Sequence, residues 1–152
     1  MAVISRRSVI AAGFLGTLLG ASNPSSAAGT QTGRVVLSGY DPVSYFTEGR
    51  PEKGLPEFSA SYDNATYWFK DAKHQSMFVS DPERYAPQYG GFCAIDLSRG
   101  NLTDPDPEAW AIKDGKLFVF GKKAGMSIFA DQGASIVEKS NERWPEMRQR
   151  VQ

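Results

Sequence analysis

One cysteine in 152 residues, Cys93, denies this chain any internal disulfide. Its fold therefore has to rest on an apolar core, and an apolar content of 41% over this length is enough for one modest domain. The histidine count is also one, His74. A zinc site made of Cys and His alone is out of reach, and so is chemistry that needs several histidines. Lys and Arg balance Asp and Glu at 17 each, so no basic field invites wholesale nucleic-acid binding.

The N-terminus reads as an export signal. Ser5-Arg6-Arg7 precedes an uncharged apolar run, Val9 to Ala21, whose 13 residues suit a signal-peptide core. A bilayer span takes about 20 apolar residues, so no permanent membrane span is expected in the mature form. Asn23 and Pro24 break the run, and Ser26-Ala27-Ala28 offers small residues for cleavage after Ala28, with Ala27 as the near alternative. No acidic residue appears before Asp41, which argues against an ordinary buried helix here. The pair Arg6 and Arg7 resembles the twin-arginine export motif, with Val9 where a bulky aromatic is usual; the general secretory route stays open. The expected location is the periplasm or an equivalent exported compartment. Removing Arg6 and Arg7 leaves 15 basic against 17 acidic residues, a mature net charge of −2.

Residues 29–34 read as a flexible lead-in, and residues 35–150 as one α+β domain of small antiparallel hairpins packed with short helices. Val35-Val36-Leu37 predicts an edge strand, and Val43 to Phe46 either a short helix or a strand. Phe58 to Tyr62 and Thr66 to Phe69 predict a hairpin turning at Asp63-Asn64, residues that tolerate positive φ. Asp71 caps a helix carrying His74, Met77 and Phe78, and Asp81-Pro82 starts another. Phe92 to Arg99 predicts a short helix closed by Gly100, with Cys93 in its first turn. Trp110 to Ile112 and Leu117 to Phe120 form a second hairpin about Asp114-Gly115. The tail predicts two helical segments, the second ending before Pro145.

Chemistry has few places to sit. In a first helical turn the positive dipole end lowers a thiol's pKa, which suits a reactive or metal-binding Cys93; the competing reading is a small buried hydrophobe. His74 and Met77, three apart on one helix, share a face, and Cys, His and Met together would suit a soft ion such as copper(I). Met77 is equally explained as core filling and His74 as a solvated surface residue. Asp104, Asp106 and Glu108 lack the glycine and the ligand period of a calcium loop. Tyr85, Tyr89 and Phe92 read as a pocket lining or as core, and Tyr85, Tyr89 and Trp110 as an aromatic docking surface. No nucleophile elbow or phosphate loop is present, and the chain is expected not to be an enzyme.

Several stretches resemble YHS-domain proteins in their exported single-domain form. They are Leu37 to Phe46, Tyr67-Trp68-Phe69, Phe78 to Ala94, Asp106 to Trp110, Asp114 to Phe118 and Trp144-Pro145. The resemblance runs in order from about Val36 to Pro145. It implies the α+β fold above. YHS domains of heavy-metal ATPases carry cysteines where this chain has Ser44, Lys70 and His74, so only His74 could stand in for that ligand set. Exported members match at Tyr89 to Ala94 and more often carry Asn at the His74 position. The functional expectation is a non-enzymatic periplasmic YHS-domain protein that binds a soft transition metal, copper or zinc, through Cys93 with His74 and Met77. The alternatives are a thiol-redox protein using Cys93, or a ligand- or protein-binding module without metal.

Overall fold

The computed structural model describes residues 33–152. The expected signal segment, with Arg6, Arg7 and Ala28, and most of the lead-in lie outside the described residues. The described chain is a mixed α+β fold with a three-stranded and a two-stranded sheet and two apolar cores; the two-stranded sheet lies between them, with Leu117 and Val119 in the first and Phe118 and Phe120 in the second.

The first sheet has the order β1-β3-β2. Strand β1 (Arg34–Val35) pairs in parallel with β3 (Ala65–Phe69), and β3 pairs antiparallel with β2 (Leu55–Tyr62). The hairpin between β2 and β3 forms where expected, with Asp63 and Asn64 at φ 52° and 58°. These angles fit the two-residue turn whose twist matches that of the strands. The expected edge strand, by contrast, ends after Val35. Leu37 and Ser38 turn left-handed, at φ 55° and 52°, and the turn takes both Val36 and Leu37 fully out of solvent. A third straight strand residue would alternate faces, so burial overrides strand propensity here. Gly39 closes the turn at φ +83°, where a Cβ would stand 2.5 Å from the Trp68 ring.

Of the two readings left open for Val43 to Phe46, the helix is correct: α1 spans Ser44–Thr47. Helix α2 (Ala72–Ser80) begins at Asp71, whose carboxylate accepts from the His74 N–H at 2.9 Å. It lays Phe78 against Tyr62, Tyr67 and Phe69, with ring centroids 6.1, 4.7 and 5.1 Å away. Asp81 and Pro82 start α3 (Pro82–Tyr85) as expected.

A turn at Gln88–Gly91 leads into the second core. Helix α4 is Ala94–Ser98, shorter than expected, and Cys93 is its N-cap residue rather than part of its first turn. Strands β4 (Asp106–Lys113) and β5 (Lys116–Phe120) form the second hairpin, turning at Asp114 (φ 52°) and Gly115 (φ 72°). The tail is one helix, α5 (Ala124–Gln149), and not two. Pro145 lies within it. Its missing N–H deserts the Asn141 carbonyl, but both residues are exposed, so water can take that carbonyl. The flanking side chains hold the helix on course: Met147 is buried, and Trp144 meets Tyr89 and Phe92 at 6.2 and 6.4 Å. Full burial of one such side chain is worth roughly 1.5–3 kcal/mol, comparable with the proline's cost of about 3 kcal/mol. No helix among the described residues is long and apolar enough to cross a membrane.

Candidate functional site

The residues singled out for metal binding do not come together. His74 sits on α2 over the first core, whereas Cys93 belongs to the second. Met77 is half-buried and packs on the first core. Among the described residues no group of three His, Cys, Asp or Glu side chains is placed to hold a metal ion. The set Cys93, His74 and Met77 therefore does not fit copper or zinc as one site, because α2 carries His74 and Met77 on the first core while Cys93 is packed in the second.

His74 is not a solvated surface residue. Its side chain is 4% exposed and faces Asp41, which is wholly buried, with Nδ1 at 2.6 Å from Oδ2. Asp41 also accepts the Val43 N–H at 2.8 Å and the Lys70 N–H at 3.0 Å. A carboxylate taking two backbone N–H groups acts as an acceptor, so Nδ1 donates to it. Nε2 faces the Thr47 hydroxyl at 3.4 Å and Glu48 Oε1 at 3.7 Å. Lys70 then bridges Glu48 at 2.6 Å and Glu52 at 3.1 Å. These partners push Glu48 below the usual carboxylate range, chiefly through the Lys70 hydrogen bond, and push Lys70 up.

Ser44 joins the same cluster, donating its hydroxyl to the Asp41 carbonyl at 2.7 Å. Ser44, Lys70 and His74 thus all touch Asp41. Here they supply a hydroxyl, a backbone N–H and an imidazole, and the Lys70 ammonium already sits between two carboxylates. The line Thr47–His74–Asp41 has the residue types of a nucleophile, base and orienting acid. However, the Thr47 hydroxyl donates to the Val43 carbonyl at 3.2 Å, and the ring is closed in. Its chemistry is spent on tying α1, β3 and α2 together. The sequence reading missed Asp41 as a buried hub. Its one local signal was Asp-Pro before Val43, since an Asp side chain often accepts the N–H two residues on.

Cys93 has the more open surroundings. Its own N–H donates to the Thr103 carbonyl at 2.9 Å, and its side chain walls a cavity of about 330 Å³. Ile95, Phe120 and Ile128 give this cavity an apolar side, and Asp96, Arg99 and Lys122 bring charge to it. Gly121 stands at the rim. A Cβ there would lie 3.6 Å from Asp96 Oδ2 and 3.9 Å from Cys93 Sγ, ordinary contact distances. The expected lowering of the thiol's pKa is overturned. Burial pushes it up and the Asp96 carboxylate adds to this, outweighing the opposing N–H groups of Asp96, Gly121 and Ile95. The dipole of a five-residue helix is too small a field to reverse that.

The remaining candidates disperse. Asp104 pairs with Arg34 at 2.8 Å, Glu108 pairs with Lys123 at 2.8 Å, and Asp106 accepts the Glu108 N–H at 2.9 Å. Tyr85 is buried edge-on to Phe46, Trp110 meets Tyr45, and Tyr89 is buried in the other core, where its hydroxyl donates to Asn141 at 2.9 Å. They make no common aromatic surface. Phe92 is buried under the Arg34 guanidinium, 3.9 Å from its ring centre. No protein-family model, curated protein or solved structure matches this chain.

Proposed function

We propose that this protein is a non-enzymatic, exported binding module of the YHS type whose ligand site is the cavity beside Cys93. The observation that carries the reading is the cavity itself: about 330 Å³, with an apolar wall, a buried thiol and three charged side chains at its margin. Sites for small molecules combine an apolar wall with polar groups that orient the guest, and this volume is at the small end of their range. The raised thiol pKa speaks against a redox role, since the thiolate is the reactive form. Export rests on the N-terminal pattern of residues 1–28 and predicts a mature chain beginning at Gly29, which intact-mass measurement of the secreted protein checks.

Native-state labelling of Cys93 with iodoacetamide tests the site. Through an open cavity, labelling proceeds without global unfolding, and Gly121→Ala slows it several-fold at an unchanged melting temperature. Equal labelling of wild type and Gly121→Ala, at a rate that follows global unfolding in urea, overturns the reading.

A further inference from the structure

Among the described residues, three charged side chains meet at the Cys93 cavity without an ion pair, whereas other charges of the domain are paired. Glu48, Glu52 and Lys70 pair with each other, and so do Arg34 with Asp104, Lys123 with Glu108, Arg148 with Asp63 and Arg150 with Glu146. Asp96, Arg99 and Lys122 line the cavity, and among the described residues no ion pair engages any of the three. Arg99 and Lys122 are exposed, and Asp96 is half-buried. The Asp96 carboxylate at the same opening would repel a simple anion drawn in by the two cations. A guest that supplies a cation to Asp96 and an anion to Arg99 and Lys122 answers all three charges at once.

We infer that the ligand is a small zwitterion of the α-amino-acid class. This rests on the proposed binding role of the cavity. The ammonium of the guest donates to Asp96, its carboxylate accepts from Arg99 and Lys122, and its side chain lies against Ile95, Phe120 and Ile128. Arginine suits the carboxylate because its planar fork of donors matches two oxygens. A volume of about 330 Å³ holds a free amino acid with a medium apolar side chain and leaves no room for a long peptide. The absent Cβ at Gly121 keeps the rim beside Asp96 and the thiol clear.

Three probes with the same six-carbon skeleton separate the possibilities by calorimetry on the full chain at pH 7: norleucine, hexanoate and hexylamine. Norleucine is expected to bind at least about ten-fold more tightly than either of the others, a charge-assisted hydrogen bond being worth that much. Asp96→Asn should weaken norleucine at least about ten-fold and leave hexanoate unchanged or tighter. Arg99→Gln should weaken norleucine and hexanoate together and spare hexylamine. Both variants change side chains that pair with nothing in the fold, and an unchanged melting temperature verifies this. If hexanoate or hexylamine binds as tightly as norleucine, the zwitterion is wrong while the cavity remains a binding site. If none of the three binds, the inference and the reading beneath it both fail.

Discussion

The two cores use their polar groups in opposite ways. Around the first, Asp41, His74, Ser44, Lys70, Glu48 and Glu52 pair with one another, and the Asp41 and His74 side chains are buried. Around the second, Asp96, Arg99 and Lys122 stand at the margin of an opening with a buried thiol in its wall. The lone histidine, on its face the more chemical of the two rare residues, sits inside the Asp41 network. The general point is that rarity in a sequence marks a residue for attention, whereas unmet hydrogen-bonding and charge capacity mark a site.

If the contrast holds, substitutions in the first network should cost stability, and those at the cavity should cost little. Asp41→Ala is the most severe test. It strands two backbone N–H groups and the His74 ring N–H in a dry interior, and should lower unfolding free energy by about 3–5 kcal/mol in urea titration. A loss below about 1 kcal/mol would mean that water replaces the carboxylate and that the network is not closed. His74→Ala follows, at about 2–3 kcal/mol by the same measurement, because it leaves one buried acceptor short and opens a small void.

Alkaline pH examines the second core. The Cys93 thiol is raised by burial, and the Tyr89 phenol is pushed up to about 12, also by burial. A raised pKa means that the folded state keeps a proton which the unfolded chain gives up. The contribution is therefore fully present below the unfolded value, near 9.0 for the thiol, and is lost as pH rises toward the folded value. Melting temperature should stay level to about pH 8.5 and then decline. Cys93→Ala should delay that decline to about pH 10, where the tyrosines of the unfolded chain begin to ionise. Parallel curves for the two proteins would show that the thiol is not buried as described. The smallest effect is expected for Gly121→Ala, within about 0.5 kcal/mol of wild type. Its φ needs no glycine and its new methyl meets only ordinary contacts, so it alters access to the cavity while leaving the fold alone.

The parts of the fold that were legible in the sequence are those decided within four residues. Asp63-Asn64 and Asp114-Gly115 announce hairpins through their tolerance of positive φ, and Asp71 and Asp81 cap helices by reaching the N–H three residues on. What was hidden depends on partners far along the chain. Asp41 meets His74 across 33 residues, and the cavity beside Cys93 is completed by Phe120, Gly121 and Ile128, from far along the chain. Val35 to Leu37 has strand composition, yet the core bends it. Pro145 is a sound stop signal in isolation. It fails because the deserted carbonyl faces water while Trp144 and Met147 grip the second core. For the candidate site, the sequence pointed to Cys93 but not to its neighbours at the cavity, Asp96, Arg99 and Lys122, which the fold brings there.

The seating of Trp144 has a bearing on the order in which the domain can form. Arg34 lies over Phe92, and Phe92 and Tyr89 are in turn covered by Trp144, near the far end of the chain. A growing chain can therefore assemble the β2–β3 hairpin, α2 and the first core while α5 is still being made. Tyr89 and Phe92 keep an uncovered aromatic face until Trp144 arrives. Completion is thus coupled to the final turns of synthesis, and a chain truncated before residue 144 would expose that face as a sticky patch, with the Asp41 network already closed behind it.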